Sequence, residues 1–400
     1  MREIALIGIG PGNNGALTKE AAAFCDEADL LIGASRMLQA VAGEGQACFC
    51  AYLPERILEC IENHPAANKI AILMSGDTGF FSGAKKLLPL LPVDTKIFPG
   101  ISSLSMFCAR LGTSWDDIRV TSMHGKNLNL VGEIRTHHRV FSILGTGDAV
   151  CRIAEELLSF GMTHIRITVG EQLGYPEESI TRGSVEDFLS YENHPLSVIL
   201  LENPSPECTV AHGIPDDAFI HGDVPMTKEE VREISLCKLR LTKGFVLYDI
   251  GAGTGSVSIE AARLDSGGRV FSIEKKDAAV ELLQKNRQHF CAANMEIIRG
   301  TAPGALADLP VPTHAFIGGS SGELREILRL LLDKNPGVRI VINAITLETL
   351  TEALAALREL PFREVDIASV NVAKSRSVAS YHMMTAHNPV YVISATGNPR

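Results

Sequence analysis

Short apolar runs recur along almost the whole chain, separated by longer stretches in which apolar residues fall three and four apart. The runs read as buried strands and the periodic stretches as helices that cover them. In the first half the expected strands are Ile4–Ile7, Leu30–Ile32, Ile70–Met74, Thr95–Phe98, Ile118–Met123, Val140–Leu144, Ile165–Val169 and Ser197–Leu201. Helical periods cover Leu17–Asp26, Gly83–Leu91 and Ala149–Phe160. Strands that alternate with helices predict an α/β fold.

The texture breaks after Leu201. Glu202 to Asp223 is rich in Pro, Gly, Asp and His and reads as a linker. Thr227, with Glu230 three residues on, has the form of a capping box that opens a helix. A second α/β run follows: strands Phe245–Asp249, Gly268–Glu274, Met295–Arg299, His314–Ile317 and Val338–Asn343, with helices Gly255–Arg263, Asp277–Phe290, Ser321–Leu332 and Leu347–Leu360 between them. The tail is strand-like at Val365–Val372 and Val390–Ser394. The expected organisation is a domain over 1–205, a linker over 206–223 and a domain over 224–400, a length ample for two.

Composition narrows the class. The chain is 46% hydrophobic and 21% charged, enough apolar residue for sizeable cores. No apolar run is long enough to span a bilayer, and Met1-Arg2-Glu3 leads straight into a strand without a signal peptide, so the cytoplasm is expected. Nine scattered cysteines do not suggest a disulfide framework. Cys48 and Cys50, with Cys60 nearby, lack a second ligand pair at zinc spacing; no metal is expected, and small buried apolar side chains are the reading. A net charge of −10 argues against broad nucleic-acid binding, which rests on phosphate neutralisation, but leaves room for a local basic pocket.

Three small-residue turns follow three strands of the first half. Gly8-Ile9-Gly10-Pro11-Gly12 is not a dinucleotide fingerprint, and Pro11 has no N–H to offer a phosphate. Ser75-Gly76-Asp77 follows Ile70–Met74, and Pro99-Gly100-Ile101-Ser102-Ser103 follows Thr95–Phe98. Such turns build a ligand crevice at the carboxyl edge of a parallel sheet. Asp77 can accept from ribose hydroxyls or an amino group, and Ser102 can cap the next helix while touching a ligand. With Val169-Gly170-Glu171-Gln172-Leu173, these pieces make residues 1 to about 205 resemble the tetrapyrrole methylases. Thr78 stands where that family usually has Pro. Gly33-Ala34-Ser35-Arg36-Met37-Leu38 is most similar to the branch that acts on carbon 5 of the late precorrins. The resemblance implies two α/β subdomains with S-adenosylmethionine between them, near Pro11, Gly76, Asp77 and Ser102.

Asp249-Ile250-Gly251-Ala252-Gly253-Thr254-Gly255 closes a strand and opens a helix, and Glu274 ends the next strand, placed to take both hydroxyls of a ribose. The helix start after Gly255 suits a carboxylate. The combination resembles the first motif of the seven-strand methyltransferases. Pro225 to Arg232, Ala315 to Gly319, Asn343 to Glu348 and His382-Met383 are similar to the decarboxylating precorrin methyltransferases that act at carbon 15. That resemblance runs from about 224 to 400 and implies cofactor contacts at Thr227, Gly251, Ala252, Gly253, Thr254, Gly255, Glu274 and Ala302.

Together the two resemblances imply a fused, S-adenosylmethionine-dependent C-methyltransferase with one cofactor site per domain. It would methylate a precorrin at carbons 5 and 15 and decarboxylate the ring-C acetate, taking precorrin-6B to precorrin-8x in cobalamin biosynthesis. Such a substrate bears many carboxylates and calls for cationic groups. Arg376 is the candidate clamp beside Lys374, His382 a candidate substrate ligand or proton donor, and Asn343 a candidate at a strand end. His124 and Lys126 are candidates in the first half, whereas His137 and His138 read as surface. A homo-oligomer is implied by the family. The same chemistry on a cobalt-containing ring, an RNA methyltransferase, a nicotinamide oxidoreductase and a scaffold with one inactive half are the competing readings.

Overall fold

The opening strand, β1 (Glu3–Gly8), is buried at every position after Glu3, as a strand covered on both faces must be. In the computed structural model, which describes residues 2–12, 14–123, 128–145, 147–207 and 213–399, it lies inside a five-stranded sheet. The other strands are β2 (Leu30–Gly33), β3 (Cys48–Cys50), β4 (Lys69–Met74) and β5 (Lys96–Phe98), in the order β3-β2-β4-β1-β5, all parallel. Helices α1 (Lys19–Asp26), α2 (Ser35–Val41), α3 (Pro54–Asn63), α4 (Ala84–Leu87) and α5 (Ser103–Leu111) supply the crossovers. Ser102 caps α5: its Oγ accepts the Ser105 N–H at 3.1 Å.

The chain continues into a mixed sheet of β6 (Arg119–Ser122), β7 (Arg139–Ile143), β8 (Arg166–Glu171), β9 (Ser179–Gly183) and β10 (Ser197–Glu202), in the order β6-β7-β10-β8-β9. Helices α6 (Leu130–Thr136) and α7 (Ala149–Ser159) interrupt it. Phe107 and Leu104 of α5 pack with Phe141, Leu173, Val198 and Leu200, so α5, which follows the last strand of the first sheet, packs on the second. Contacts divide the chain into two compact units. Met1–Asn127, His137–Leu158 and Met162–Ser205 form the first; Leu128–Thr136, Ser159–Gly161 and Pro206–Arg400 form the second, which therefore includes α6.

The second unit is built on α8 (Glu229–Leu239), β11 (Val246–Ile250), α9 (Ser256–Leu264), β12 (Arg269–Glu274), α10 (Asp277–His289), β13 (Met295–Arg299), β14 (His314–Ile317), α11 (Leu324–Lys334), β15 (Arg339–Ala344), α12 (Leu347–Glu359) and β16 (Phe362–Val370). A hairpin, β17 (Ala373–Val378) and β18 (Tyr381–Ala386), precedes the last strand, β19 (Val390–Gly397). The sheet order is β13-β12-β11-β14-β15-β19-β16, with β19 antiparallel to both neighbours. Strand order reverses between β11 and β14, and such a switch point opens a crevice at the strands' carboxyl ends. Apolar side chains fill both faces, with Leu328 and Leu331 among those on one and Leu283 and Ile259 among those on the other.

Several expectations need correction. Gly83–Leu91 is not one helix: α4 ends at Leu87 and a 3₁₀ turn, Leu88–Leu90, follows, because Pro89 has no N–H to continue the ladder. The helix near Thr227 starts at Glu229 with Lys228 as N-cap and no side-chain cap. Asp216 Oδ1 instead accepts the Glu229 N–H at 3.0 Å, and the Thr227 carbonyl accepts from buried Arg232 at 2.8 Å. Cys60 is buried, but Cys48 and Cys50 are exposed on β3, so they are not core side chains. His124 and Lys126 lie outside the described residues. No helix among the described residues is long and apolar enough to cross a membrane.

Candidate functional site

In the first unit the three small-residue turns meet. Gly10 N–H donates to the Gly76 carbonyl at 3.1 Å and Gly76 N–H to the Gly10 carbonyl at 2.9 Å, which ties the turn after β1 to the turn after β4. A Cβ on Gly100 would stand 2.3 Å from the Gly76 oxygen and 2.6 Å from the Gly8 oxygen, so only glycine allows the third turn this close. The Asp77 carboxylate bridges two of the turns, accepting from Gly79 N–H at 2.8 Å and from Gly100 N–H at 3.1 Å. Beside them lies a cavity of about 330 Å³, lined by Gly10, Pro11, Gly76, Phe80, Phe81, Leu144, Leu173 and Tyr175 among others. Pro11 and Gly76 thus face the cavity, whereas Asp77 and Ser102 are engaged in holding the turns and are not among the lining residues.

In the second unit two adjoining cavities sit at the switch point and share Pro225, Gly251 and Gly318 to Ser321. The smaller, about 220 Å³, is lined by Gly253, Glu274, Lys275, Thr301 and Ala302 among others. The larger, about 620 Å³, is lined by Thr227, Lys228, Ala252, Asn343, Glu348, Glu352 and His387 among others. Gly253 has φ +58°, and a Cβ there would stand 2.7 Å from the Pro225 carbonyl. Its N–H donates to Glu274 at 3.0 Å, while the other Glu274 oxygen takes the N–H groups of Lys275 and Lys276, both at 2.9 Å. The acidic side chain is therefore fixed at the mouth of β12 by backbone donors. Thr254 and Gly255 turn inward; Gly255 packs on Leu283, and neither lines the cavities.

Asn343, the penultimate residue of β15, is oriented by a buried hydroxyl. Ser235 Oγ lies 2.7 Å from the Val231 carbonyl, which takes its single proton, so it can only accept from Asn343 Nδ2 at 3.0 Å. The Asn343 Oδ1 lies 3.2 Å from the same hydroxyl, so Ser235 touches both ends of the amide of a residue that lines the larger cavity. Arg376 and His382 stand on the exposed hairpin β17–β18 and do not line the cavity, but the hairpin rises from its rim: Val372 and His387 flank it, line the cavity, and are joined by a 2.8 Å backbone bond. Lys374 is held by Glu230 at 2.7 Å. Lys228, His387 and the loop Ser320 to Gly322 are lining residues that sequence reasoning missed. The loop carried a readable signal, a small-residue turn after a strand; Lys228 and His387 carried none.

Whether this unit fits S-adenosylmethionine is testable on its polar atoms. Gly251 and Gly253 line the cavities at φ +77° and +58° and leave backbone without a side chain there for a ligand to approach. Glu274 with small Ala302 opposite suits an adenosine. The residues present fit the cofactor.

Residues 3–189 match the family described as Tetrapyrrole (Corrin/Porphyrin) Methylases, and residues 217–396 the family described as Precorrin methyltransferase domain. A protein of Sinorhizobium sp. named precorrin-6Y C(5,15)-methyltransferase [decarboxylating] is 31% identical over 352 residues, covering 86% of this chain and 84% of its own. A Pyrobaculum calidifontis protein named "Probable cobalt-precorrin-6B C(15)-methyltransferase (decarboxylating)" is 41% identical over 46% of this chain and 95% of its own. A crystal structure described as precorrin-6Y C5,15-methyltransferase from Geobacter metallireducens GS-15 is 43% identical, covers 46% of this chain and 97% of that one, and has a TM-score of 0.44. The chain belongs to the precorrin-6Y C(5,15)-methyltransferase (decarboxylating) family, methyltransferases that join a tetrapyrrole-methylase region to a precorrin-methyltransferase region.

Proposed function

We propose that this chain methylates a precorrin at carbons 5 and 15 and decarboxylates its ring-C acetate, with one S-adenosylmethionine site in each unit. Residues 1–205 take the carbon 5 step and 224–400 the carbon 15 step and the decarboxylation, with 206–223 as linker. The observation that carries the reading is the pair of glycine-turn crevices, one at the carboxyl edge of β1 and one at that of β11, each beside a cavity. The names of the relatives support the substrate class.

The cofactor supplies an electrophilic methyl group; the protein must align carbon and methyl and keep water out. In the second unit, Glu274 and Ala302 would hold the adenosine end, and Thr227 with the turn Gly251 to Gly255 the methionine end, Thr254 and Gly255 by shaping the turn from within. Pro11, Gly76, Asp77 and Ser102 do the same in the first unit, the last two by fixing the turns. Asn343, oriented by Ser235, offers its carbonyl to the reacting edge of the ring. Lys228 and His387 face the carboxylates, and Arg376 and His382 close over them from the hairpin. In the decarboxylation the C–C bond of the acetate breaks, carbon dioxide leaves, and the electron pair enters the conjugated ring before a proton is added. On this reading Arg376→Ala raises the KM for carbon 15 methylation, and an unchanged KM would remove Arg376 from the site.

The deciding test is the mass of the product formed from precorrin-6B and S-adenosylmethionine. Two added methyl groups and loss of one carbon dioxide is the expected result. One methyl with decarboxylation would leave only the second unit active. Turnover of the cobalt-containing ring alone would move the substrate to the metal-bearing series, and no change with either ring would overturn the function.

A further inference from the structure

The described residues that line the first unit's cavity include one cation and no acid. Arg36, on α2, is half-buried and lines the cavity beside Pro11 and Gly76. Its guanidinium donates to Tyr175 Oη at 3.2 Å and Ser75 Oγ at 3.3 Å, both neutral. Two other arginines of this unit are matched by acids: Arg110 with Glu178 at 2.6 Å, and Arg139 with Asp117. Arg36 has no carboxylate partner among the described residues, and two of its five N–H donors are used. The nearest acid in the turns, Asp77, spends its oxygens on Gly79 and Gly100.

We infer that Arg36 binds a ligand carboxylate in this cavity, and that it is a side-chain carboxylate of the tetrapyrrole. The inference rests on the function proposed above. Guanidinium and carboxylate match as a two-pronged pair, and the hydroxyls of Tyr175 and Ser75 fix the fork without neutralising it. Two sources of carboxylate can reach the site, the substrate and the methionine end of the cofactor. The second carries an ammonium and a sulfonium close to its carboxylate, and both are repelled by Arg36. The substrate's carboxylates hang from a flat, largely apolar ring. The cavity offers a surface for one: Phe80 and Phe81 line it edge to face, with centroids 5.1 Å apart, and Phe81 is 52% exposed.

The test uses the full chain and the variants Arg36→Gln, Arg36→Lys and Tyr175→Phe. Carbon 5 methylation is followed with a labelled methyl group, and S-adenosylhomocysteine binding by calorimetry. Arg36→Gln is expected to raise the KM of the tetrapyrrole at carbon 5 roughly ten- to a hundredfold, with kcat at saturation and S-adenosylhomocysteine affinity each within about threefold of wild type. Arg36→Lys keeps the charge but not the fork and should fall between; Tyr175→Phe should raise KM a few-fold. Unchanged thermal unfolding of Arg36→Gln assigns the effect to binding. A wild-type KM in Arg36→Gln overturns the inference and leaves the function standing. Loss of S-adenosylhomocysteine affinity at constant tetrapyrrole KM also overturns it, by giving Arg36 to the cofactor. A wild-type chain that transfers no methyl to carbon 5 overturns the function itself, and the Arg36 assignment with it.

Discussion

Asp249 shows how one buried group can tune the second unit. It is 1% exposed, and burial pushes its pKa from 3.8 up to about 7, against the Ser258 hydroxyl bond at 2.5 Å that favours the anion. Ser258 in turn touches Ser272 at 2.6 Å. The folded chain therefore keeps a proton that the unfolded chain has released over the window from 3.8 to about 7. Stability from this group falls as pH rises through that window and is constant above it. Asp249→Asn is neutral throughout. It should gain on wild type between about pH 5 and about pH 8, by on the order of a few kcal/mol. Denaturant titrations of both proteins at the two pH values check this; an equal difference at both would show an ordinary carboxyl. Ser235→Ala tests orientation rather than charge. With no acceptor for Asn343 Nδ2, kcat for carbon 15 methylation should drop roughly ten- to a hundredfold while KM holds, and a KM effect alone would make Asn343 a binding group.

At the scale of elements, a buried ion pair anchors the segment that leads into α8. Arg232 is fully buried on α8 and meets Glu260 of α9 at 2.5 Å and Asp216 at 3.3 Å. It also donates to the Ile214 carbonyl and lies 4.9 Å from the Phe219 ring centroid. Glu260 further accepts from Gly213 N–H at 3.1 Å and Ile214 N–H at 2.9 Å. Removing the cation alone strands a buried carboxylate. Arg232→Met should cost about 3–5 kcal/mol in a urea titration, and Glu260→Gln on top of it should recover part of the loss. No recovery would mean that Arg232 acts through packing on Phe219 and not through its charge. The Thr227-Glu230 capping box failed for the same reason: Arg232 claims the Thr227 carbonyl and Asp216 supplies the cap. A sequence window of a few residues contains neither partner.

For the whole molecule the central question is how many cofactors one chain binds. The turns after β1, β4 and β5 and the turn after β11 are built from separate residues in separate units. Calorimetric titration with S-adenosylhomocysteine should give two sites per chain. Gly253→Ala places a Cβ against the Pro225 carbonyl at a positive φ, and should abolish one site and leave the other intact. A wild-type stoichiometry of one would leave one unit without a cofactor of its own.

Much of the architecture was legible because its causes are local. Apolar runs mark strands wherever the sheet is covered on both faces, as in β1 and β11, and small residues after a strand mark a turn that lets a ligand near the backbone. These signals located the crevices at Gly8 to Gly12, Ser75 to Asp77 and Gly251 to Gly255. The hairpin β17–β18 was missed because every residue of β18 and most of β17 is exposed, so burial imposes no alternation on it. Tertiary structure alone decided which side chains share a cavity. His387 shares a cavity with Asn343 because β19 inserts between β15 and β16 and brings the preceding hairpin to the rim, while Lys228 reaches the same cavity from the start of α8. Strand order and register are properties of distant pairings, and no periodicity along the chain encodes them.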